Sequence, residues 1–210
     1  MDDFKLIIEM LIKGDGARLT ELVKTAMEQG VPAKKILNEG LIAGMDIVGE
    51  KMENEDMFIP EVLRSAKVMS ECVKILKPQL TEEDSAARGK VIIGTVKGDL
   101  HDIGKNLVAM MLESSGLEVF DLGVDVDPDE FAAEVKEKNA GMLCLSALLT
   151  TTMPMMRQTI NAVTENRTRD QVKILVGGAP VTQSFADEIG ADGYAPDAGS
   201  AVKLAKSLTR

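Results

Sequence analysis

The sequence of 210 residues has few cysteines, few aromatic residues and no long apolar run. Its two cysteines, Cys72 and Cys144, form no CxxC pair, which excludes a disulfide scaffold and predicts a reducing, cytoplasmic compartment. Because no apolar run approaches the roughly 20 residues of a membrane-spanning helix, we expect no membrane association. The first residues also lack the basic lead and the cleavage site of a secretory signal.

The sequence also has fewer basic than acidic residues. It contains 24 Lys and Arg and 34 Asp and Glu residues, which gives a formal net charge of −10. Nucleic-acid binding through the phosphate backbone needs a cationic surface, so we expect no nucleic-acid partner. Hydrophobic residues make up 45% of the chain, which suffices for a packed core, but only 3% are aromatic and none is Trp. The predicted core is therefore aliphatic, with many of the 13 Met residues as fillers.

Residues 1–88 follow a helical pattern and predict one domain. Apolar residues recur at helical spacing in four stretches, which glycines and a polar segment separate. Pro32 and Pro60 suit the first turns of the third and fourth helices. Four amphipathic helices with short connections predict an antiparallel four-helix bundle. The polar stretch Thr81–Lys90 has no periodicity and predicts a linker.

Residues 89–210 predict a second domain of the α/β class. The predicted strands are Val91–Val96, Leu117–Leu122, Met142–Leu148, Val172–Val176 and Gly193–Ala195. The predicted helices are Ile103–Glu113, Pro128–Lys138, Met153–Glu165, Thr182–Ile189 and Ala201–Leu208. Regular alternation of this kind indicates a Rossmann-like (flavodoxin-like) doubly wound parallel sheet. Ligands of such sheets bind beyond the carboxyl ends of the strands, so the turns there are the informative places.

The turn after the first predicted strand contains His101, which is the only histidine of the chain. A neutral imidazole is a good ligand for a transition metal, and Asp99, two residues earlier, can accept a hydrogen bond from its other nitrogen. A protein-only zinc site needs three or four ligands, which a lone histidine does not supply. The pattern therefore favours a metal whose other ligands come from a macrocycle, and on this reasoning haem and cobalamin are equally suitable.

The spacing of Asp99, His101 and Gly104 matches the D-x-H-x-x-G motif and resembles the base-off, His-on cobalamin-binding proteins. In that family the histidine replaces the benzimidazole of the cofactor below cobalt, and the displaced nucleotide tail enters a slot beside the sheet. The resemblance implies that His101 is the lower axial cobalt ligand. It also implies cofactor contacts for the whole turn, which comprises Gly98, Asp99, Leu100, His101, Asp102, Ile103 and Gly104.

Two further family signatures follow later predicted strands in the expected order. Ser146 and Leu148, with Thr150 after them, resemble the S-x-L element that lines the tail slot. Gly177 and Gly178 resemble the Gly-Gly element that lets the tail pass close to the backbone.

Two single positions complete the likeness. Ala198, expected in the last loop, occupies the place of a family residue that touches the cofactor. Thr152 lies where the family extends the Asp–His pair with a hydroxyl residue, which implies a relay of Asp99, His101 and Thr152.

The N-terminal half is similar to the helical cap module of methionine synthase and its relatives. The likeness rests on the run from Gly44 to Met52 and on the segment from Met57 to Pro60. It implies that Met52, Ile59 and Val62 cover the upper face of the corrin.

Taken over nearly the whole chain, the resemblance is to stand-alone corrinoid proteins of methylamine, methanol or betaine methyltransferase systems. It implies a methyl carrier whose cobalt cycles between Co(I) and methyl-Co(III). The expected partners are a substrate-specific methyltransferase, a second methyltransferase that passes the methyl group to tetrahydrofolate or a thiol, and a reductive activation protein. The run Leu149–Pro154 particularly resembles the methylamine and quaternary-amine members.

Three alternatives remain open from the sequence. A cobalamin-dependent regulator shares the plan of cap plus cobalamin domain, although such proteins usually carry a DNA-binding domain. A cobalamin subunit of an adenosyl-dependent mutase would differ in its preference for the upper ligand. A plain flavodoxin-like domain would carry His101 incidentally.

Overall fold

The computed structural model describes residues 2–80 and 89–208, which divide into an N-terminal helical unit and a C-terminal α/β unit. The linker predicted at Thr81–Lys90 and the boundary predicted at residue 88 fall on or beside residues 81–88, which lie outside the described residues. The exact boundary therefore stays a prediction.

The helical unit contains the four predicted helices, and the third of them is not a plain α-helix. The segments are α1 (Asp2–Lys13), α2 (Gly16–Glu28), α3 (Ala33–Lys35), a π-helical stretch (Ile36–Ile42), α4 (Ala43–Glu53), α5 (Ile59–Leu76) and a short 3₁₀ turn (Lys77–Gln79). The α3, π and α4 segments follow one another without a break and correspond to the third predicted helix. Nothing in the apolar periodicity indicated the π stretch, which changes the helical pitch in the middle of that helix.

Local signals explain where these helices begin. The Asp15 side chain accepts a hydrogen bond from the backbone N–H of Arg18 at 3.1 Å and so caps α2. Pro32 directly precedes α3. At the start of α5, Glu61 accepts a hydrogen bond from the backbone N–H of Phe58 at 2.9 Å, and Pro60 occupies the first turn. The helix starts therefore follow from residues that satisfy free backbone donors.

Two glycines allow the third helix to approach α1 closely. A Cβ atom on Gly40 would lie 2.9 Å from Ile7 Cγ2, and one on Gly44 would lie 2.5 Å from Leu11 Cδ2. Both pairs are spaced by four residues, so each forms one stripe along its helix. Ile7 and Leu11 are buried, which places this contact in the core of the helical unit.

The α/β unit has a five-stranded parallel sheet in the order β2-β1-β3-β4-β5, as the flavodoxin-like prediction requires. Its elements are β1 (Lys90–Thr95), α6 (Ile103–Ser114), β2 (Glu118–Asp121), α7 (Pro128–Lys138), β3 (Met142–Ser146), α8 (Met153–Glu165), a 3₁₀ turn (Arg169–Gln171), β4 (Lys173–Gly177), α9 (Gln183–Ile189), β5 (Gly193–Ala195) and α10 (Ala198–Leu208). The predicted α/β class and parallel topology are confirmed.

Helices cover both faces of this sheet. Residues of α7, α8 and α9 share one buried cluster with alternate residues of β1, β3 and β4, so these helices lie on one face. On the other face, α10 packs against the sheet, because a Cβ atom on Gly193 would meet both Leu204 of α10 and Leu175 of β4. A right-handed connection from β1 to β2 crosses the sheet in the opposite direction to the connections that follow it. Helix α6 therefore lies on the same face of the sheet as α10.

Two predicted boundaries of the α/β unit are wrong by more than one residue, and each has a local reason. Strand β3 ends at Ser146 rather than Leu148, because the backbone N–H groups of Leu148 and Leu149 donate to the Asp99 carboxylate instead of continuing the ladder. Helix α10 begins at Ala198 rather than three residues later, because Asp197 accepts from the backbone N–H of Ser200 at 2.8 Å.

Within the described ranges, 2–80 and 89–208, no helix is both long enough and apolar enough to cross a membrane.

Candidate functional site

The candidate site lies at the carboxyl edge of the sheet. Thr95, Ser146, Gly177 and Ala195 stand in register on β1, β3, β4 and β5 and form one row across that edge. The segments that leave this row carry the residues singled out in the sequence. They are therefore brought to one edge by the parallel topology, as expected for a ligand site of this sheet type.

The turn that carries His101 is held by its own backbone and by β1. The backbone N–H of Asp99 donates to the carbonyl oxygen of Val96 at 3.1 Å. The buried hydroxyl of Thr95 donates to the carbonyl oxygen of His101 at 2.9 Å. Gly98 adopts a φ of +81°, in the left-handed region that a residue with a side chain rarely enters. These features fix the path of the chain on both sides of His101.

The Asp99 carboxylate is fully buried, and five donor groups surround it. Oδ1 accepts from the imidazole Nδ1 of His101 at 2.7 Å and from its backbone N–H at 3.1 Å. Oδ2 accepts from the Thr152 hydroxyl at 2.7 Å and from the backbone N–H groups of Leu148 and Leu149 at 2.8 and 3.3 Å. One side chain thus joins the β1 turn to the β3–α8 turn.

This environment keeps Asp99 ionised. Burial alone would raise the pKa of the carboxyl, but hydrogen bonds from Thr152, from His101 and from the Leu148 backbone outweigh that effect and hold the pKa well below its usual range. An ionised carboxylate can only accept hydrogen bonds, so Nδ1 of His101 must carry the hydrogen that it shares with Oδ1. In the neutral ring the lone pair then lies on Nε2, on the side of the imidazole away from Asp99.

Thr152 offers one hydrogen to two acceptors. Its Oγ1 lies 2.7 Å from Asp99 Oδ2 and 2.9 Å from the carbonyl oxygen of Leu149. Neither acceptor can donate in return while Asp99 is ionised, so the hydroxyl hydrogen is shared between them or directed to the charged oxygen. The structure thus brings Asp99, His101 and Thr152 into one continuous hydrogen-bonded chain.

The side chain of His101 is 52% exposed and stands among exposed apolar residues. Leu100 and Ile103 are 71% and 84% exposed, and Leu148 is 41% exposed at the neighbouring turn. Single exposed apolar residues are common, but several on neighbouring turns mark a place where an apolar partner binds. Asp102 is exposed too and accepts a hydrogen bond from the amide of Asn106 at 3.0 Å, one turn along α6.

The structure explains the presence of glycine differently at each of these motif positions. A Cβ atom on Gly104 would meet no atom of the described chain within 4 Å, so glycine there leaves open space beside His101. At the end of β4, a Cβ atom on Gly177 would lie 3.0 Å from the Ala195 carbonyl oxygen. On Gly178, which has a φ of +129°, it would lie 1.9 Å from the carbonyl oxygen of Ala147. Gly178 is thus required by the packing of the chain's own backbone.

The remaining predicted site residues of the α/β unit differ in exposure and in the structural element that carries them. Ser146 is half-buried at the end of β3, and Thr150 is exposed in the turn before α8. Ala198 was expected in a loop, but it is buried in the first turn of α10. Its backbone, rather than a protruding side chain, is what it can offer to a ligand.

The three residues predicted in the helical unit differ in exposure. Met52 is half-buried in α4, Ile59 is 49% exposed at the start of α5, and Val62 is fully buried. Phe58 and Leu63, which the sequence analysis did not single out, are exposed beside Ile59. Their contact with a corrin stays a prediction.

Polar residues that no sequence motif indicated also stabilise the His101 turn and the segment beside it. Asp125 lies beyond β2 and accepts a hydrogen bond from the backbone N–H of Gly98 at 2.8 Å. The buried ammonium of Lys105 lies 2.6 Å from Asp121 Oδ1, at the end of β2. The one signal available was the position of both aspartates beyond a predicted strand, at the carboxyl edge.

The donor set suits a metal that a macrocycle already holds. Among the residues that the structure describes, no group of three His, Cys, Asp or Glu side chains could hold a metal ion. A single imidazole with an oriented, free Nε2, set among apolar side chains at an open edge, fits one axial position of a planar macrocycle. The fold and the site therefore define an α/β protein whose carboxyl sheet edge has the residues expected of a site for a metal macrocycle.

Comparison with known families identifies the macrocycle. Residues 89–203 match a B12 binding domain, and residues 4–77 match a second B12 binding domain family. The chain belongs to the B12-binding family of corrinoid proteins, and its cofactor is a cobalamin or related corrinoid.

Similar proteins agree over almost the whole length. A corrinoid protein of Desulfitobacterium hafniense (strain Y51) is 38% identical over 99% of this chain and 96% of its own. Dimethylamine corrinoid protein 1 of Methanosarcina acetivorans is 42% identical over 95% of this chain and 97% of its own.

Solved structures give the same result for the fold. A cobalamin-binding protein from Desulfitobacterium hafniense DCB-2 superposes with a TM-score of 0.85 at 31% identity, covering 99% of both chains. A chain of the methanol:cobalamin methyltransferase complex from Methanosarcina barkeri superposes with a TM-score of 0.84 at 30% identity, covering 99% of this chain and 80% of that one.

Proposed function

We propose that this chain is a methyl carrier in which His101 ligates cobalt from below through Nε2, in the base-off, His-on mode. The observation that supports this most directly is the pairing of Asp99 with Nδ1 of His101, which leaves Nε2 as the ligating nitrogen. When bound, the corrinoid would supply the cobalt chemistry of methyl transfer, which the side chains of the chain do not provide themselves.

The residues of the chain bind the cofactor and orient its lower ligand. Asp99 fixes the tautomer and the direction of the His101 ring, and Thr152 stabilises the charge of Asp99. The exposed side chains of Leu100, Ile103 and Leu148 offer an apolar surface to the corrin ring of the cofactor. We assign the nucleotide tail to a slot lined by Ser146, Leu148 and Thr150 and passing Gly177 and Gly178. The other proposed cofactor contacts are Gly98, Asp102, Gly104 and Ala198.

The helical unit is proposed to cover the upper face of the corrin through Met52, Ile59 and Val62. Exposure of Ile59, with Phe58 and Leu63 beside it, supports an apolar contact there. Val62 is buried within the helical unit, so Ile59 is the more accessible of these two side chains for the proposed contact.

The methyl donor is proposed to be a methylated amine, with betaine and methanol as the other candidates from the resemblance. Relatives that match over most of this chain are named dimethylamine and trimethylamine corrinoid proteins, which favours an amine. The proposed partners are a donor-specific methyltransferase, a second methyltransferase to tetrahydrofolate or a thiol, and a reductive activation protein. The two free, buried cysteines suit the reducing cytoplasm in which these partners would act.

The test is spectroscopic and uses the lone histidine. The chain is loaded with hydroxocobalamin, reduced to Co(II) and compared by electron paramagnetic resonance with its His101→Ala variant. The wild type should show superhyperfine splitting from one axial nitrogen, which changes from a triplet to a doublet when the protein carries ¹⁵N-histidine. Because the chain has one histidine, the change would identify His101.

Two outcomes would contradict the proposal. Splitting that is unaltered by ¹⁵N-histidine would show that the benzimidazole still ligates cobalt. A preference for adenosylcobalamin over methylcobalamin in competition binding would instead favour a mutase subunit. Methyl transfer is then tested with monomethylamine-, dimethylamine- and trimethylamine-specific methyltransferases as separate partners.

A further inference from the structure

Asp125, which lies outside the B12 motifs, forms hydrogen bonds to the turn that carries His101. Asp125 has a φ of +57°, which is unusual for a residue other than glycine. Among the described residues, the other non-glycine positions with positive φ are Glu55, Asn139 and Arg167, and each lies at or just after the C-terminal end of a helix. The left-handed conformation is ordinary there. Asp125 instead lies in the segment between β2 and α7, where no helix end accounts for it.

The unusual conformation lets Asp125 contact the His101 turn twice. Its backbone N–H donates to the carbonyl oxygen of Asp99 at 3.0 Å, and its Oδ1 accepts from the backbone N–H of Gly98 at 2.8 Å. Lys97 lies 3.7 Å from the same Oδ1, but both side chains are about half exposed, so that ion pair adds little. The two hydrogen bonds hold the backbone on both sides of the Cα atom of Asp99 and so set where its carboxylate stands.

The segment that carries Asp125 is itself fixed at both ends. Beyond the end of β2, the carbonyl oxygen of Gly123 accepts from the backbone N–H of Thr95 at 2.9 Å, and the backbone N–H of Val126 donates to the carbonyl oxygen of Thr95 at 3.1 Å. At the start of the segment, Asp121 accepts hydrogen bonds from the buried Lys105 ammonium and from the backbone N–H of Gly123. Because these hydrogen bonds hold the segment in place, Asp125 can restrain the position of the neighbouring His101 turn.

We propose that Asp125 is a positioning residue for cobalt ligation, which it supports by holding the Asp99–His101 pair in its ligating geometry. The proposal rests on the proposed function only in taking His101 as the ligand. The Asp125 side chain accepts its hydrogen bond from Gly98 and its backbone N–H donates to Asp99, so its effect on His101 passes through these two residues.

The experiment compares Asp125→Gly with Asp125→Asn in the full chain. Glycine keeps the left-handed backbone and its N–H but removes the acceptor, whereas asparagine tolerates that conformation and retains an Oδ1 acceptor. The ratio of nitrogen-ligated to unligated Co(II) is measured by electron paramagnetic resonance. Loss of one hydrogen bond to a half-exposed charged group should lower this ratio by roughly 3- to 10-fold in Asp125→Gly, with recovery in Asp125→Asn.

Asp127→Gly serves as the matched control. Asp127 lies in the same segment and accepts from the backbone N–H of Asp129 at 3.1 Å, which caps α7. Its loss should lower the thermal midpoint without changing the ligation ratio. A ratio in Asp125→Gly equal to that of the wild type would overturn the proposal, and so would an Asp125→Asn variant as impaired as Asp125→Gly.

A second readout separates this proposal from the assignment of His101. In the protein without cofactor, the ¹⁵N shifts of the single imidazole report which nitrogen carries the hydrogen. Asp125→Gly should lower the share of the Nδ1–H form, and Asp127→Gly should not. If the wild type shows no histidine ligation, the proposed function fails, but this measurement still decides whether Asp125 positions the pair.

Discussion

One oxygen of Asp99 holds His101 twice, through the imidazole Nδ1 at 2.7 Å and through the backbone N–H at 3.1 Å. The ring and the backbone of the ligand residue are therefore oriented by the same buried atom. An aspartate two residues before a histidine is well suited to this, because its side chain reaches forward across the turn to the backbone N–H two residues later. The spacing in the motif thus has a direct structural meaning.

The first prediction concerns the tautomer of His101 before any cofactor binds. Because the ionised Asp99 only accepts hydrogen bonds, the neutral ring should carry its hydrogen on Nδ1 and leave Nε2 free. Nitrogen-15 spectra of histidine-labelled protein should show one dominant Nδ1–H form. A dominant Nε2–H form, which is the commoner one for a free histidine side chain, would contradict the arrangement seen here.

The second prediction concerns the hydroxyl of Thr152. Thr152→Val keeps the size of this buried side chain but removes the hydrogen bond to Asp99, which should lower the free energy of unfolding by about 1 to 3 kcal/mol. Thr152→Ser keeps the hydroxyl and serves as the control for the altered shape. Urea unfolding followed by circular dichroism measures both. Equal losses in the two variants would assign the effect to packing rather than to the hydrogen bond.

The sequence alone was sufficient where the deciding contacts are local. The positions of the strands and the pairing of Asp99 with His101 depend on residues close together in the chain. The parallel class could be predicted because strands alternate with helices along the sequence. The resemblance added Thr152, which meets Asp99 across 53 positions. No pattern indicated that β3 would end early, because that end depends on two backbone groups that turn to the Asp99 carboxylate.

Other features depended on contacts that no local pattern carries. Asp125 reaches Gly98 across 27 positions, and its segment reads as an ordinary acidic turn. The same holds for the π stretch, since the contact of Gly40 with Ile7 is seen only when the helices are packed. Gly178 has a further structural reason that the sequence did not indicate, because a Cβ atom there would collide with the backbone of Ala147.

The third prediction tests that reason at Gly178. Alanine there would place Cβ 1.9 Å from a backbone oxygen at a φ of +129°, so overpacking and backbone strain should together destabilise the unit by about 3 kcal/mol or more. The control is Gly141→Ala, where a Cβ atom would meet nothing within 4 Å of the described chain. The only tyrosine, Tyr194 in β5, allows fluorescence to report unfolding of this unit. A tolerated Gly178→Ala would leave only a ligand to explain the glycine.

The fourth prediction concerns pH and the thiol of Cys144. Complete burial raises the pKa of Cys144 from 9.0 to about 12. Above about pH 9 the unfolded chain loses this proton while the folded protein keeps it, so stability should fall by about 1.4 kcal/mol per pH unit until the folded pKa is reached. Cys144→Ala removes the contribution of this thiol to the pH dependence of stability. Burial also raises the pKa of Cys72, but Cys72 is present in both proteins and its contribution cancels.

The comparison at two pH values isolates the effect of that one thiol. Between about pH 9 and pH 10.5 the wild type should lose about 2 kcal/mol more unfolding free energy than Cys144→Ala, measured by urea titration at each pH. Parallel loss in both proteins would mean that the folded state admits the Cys144 thiolate, and hence that this part of β3 opens to water. Iodoacetamide labelling distinguishes the two cases, because a thiol held in its protonated form reacts only after the protein unfolds.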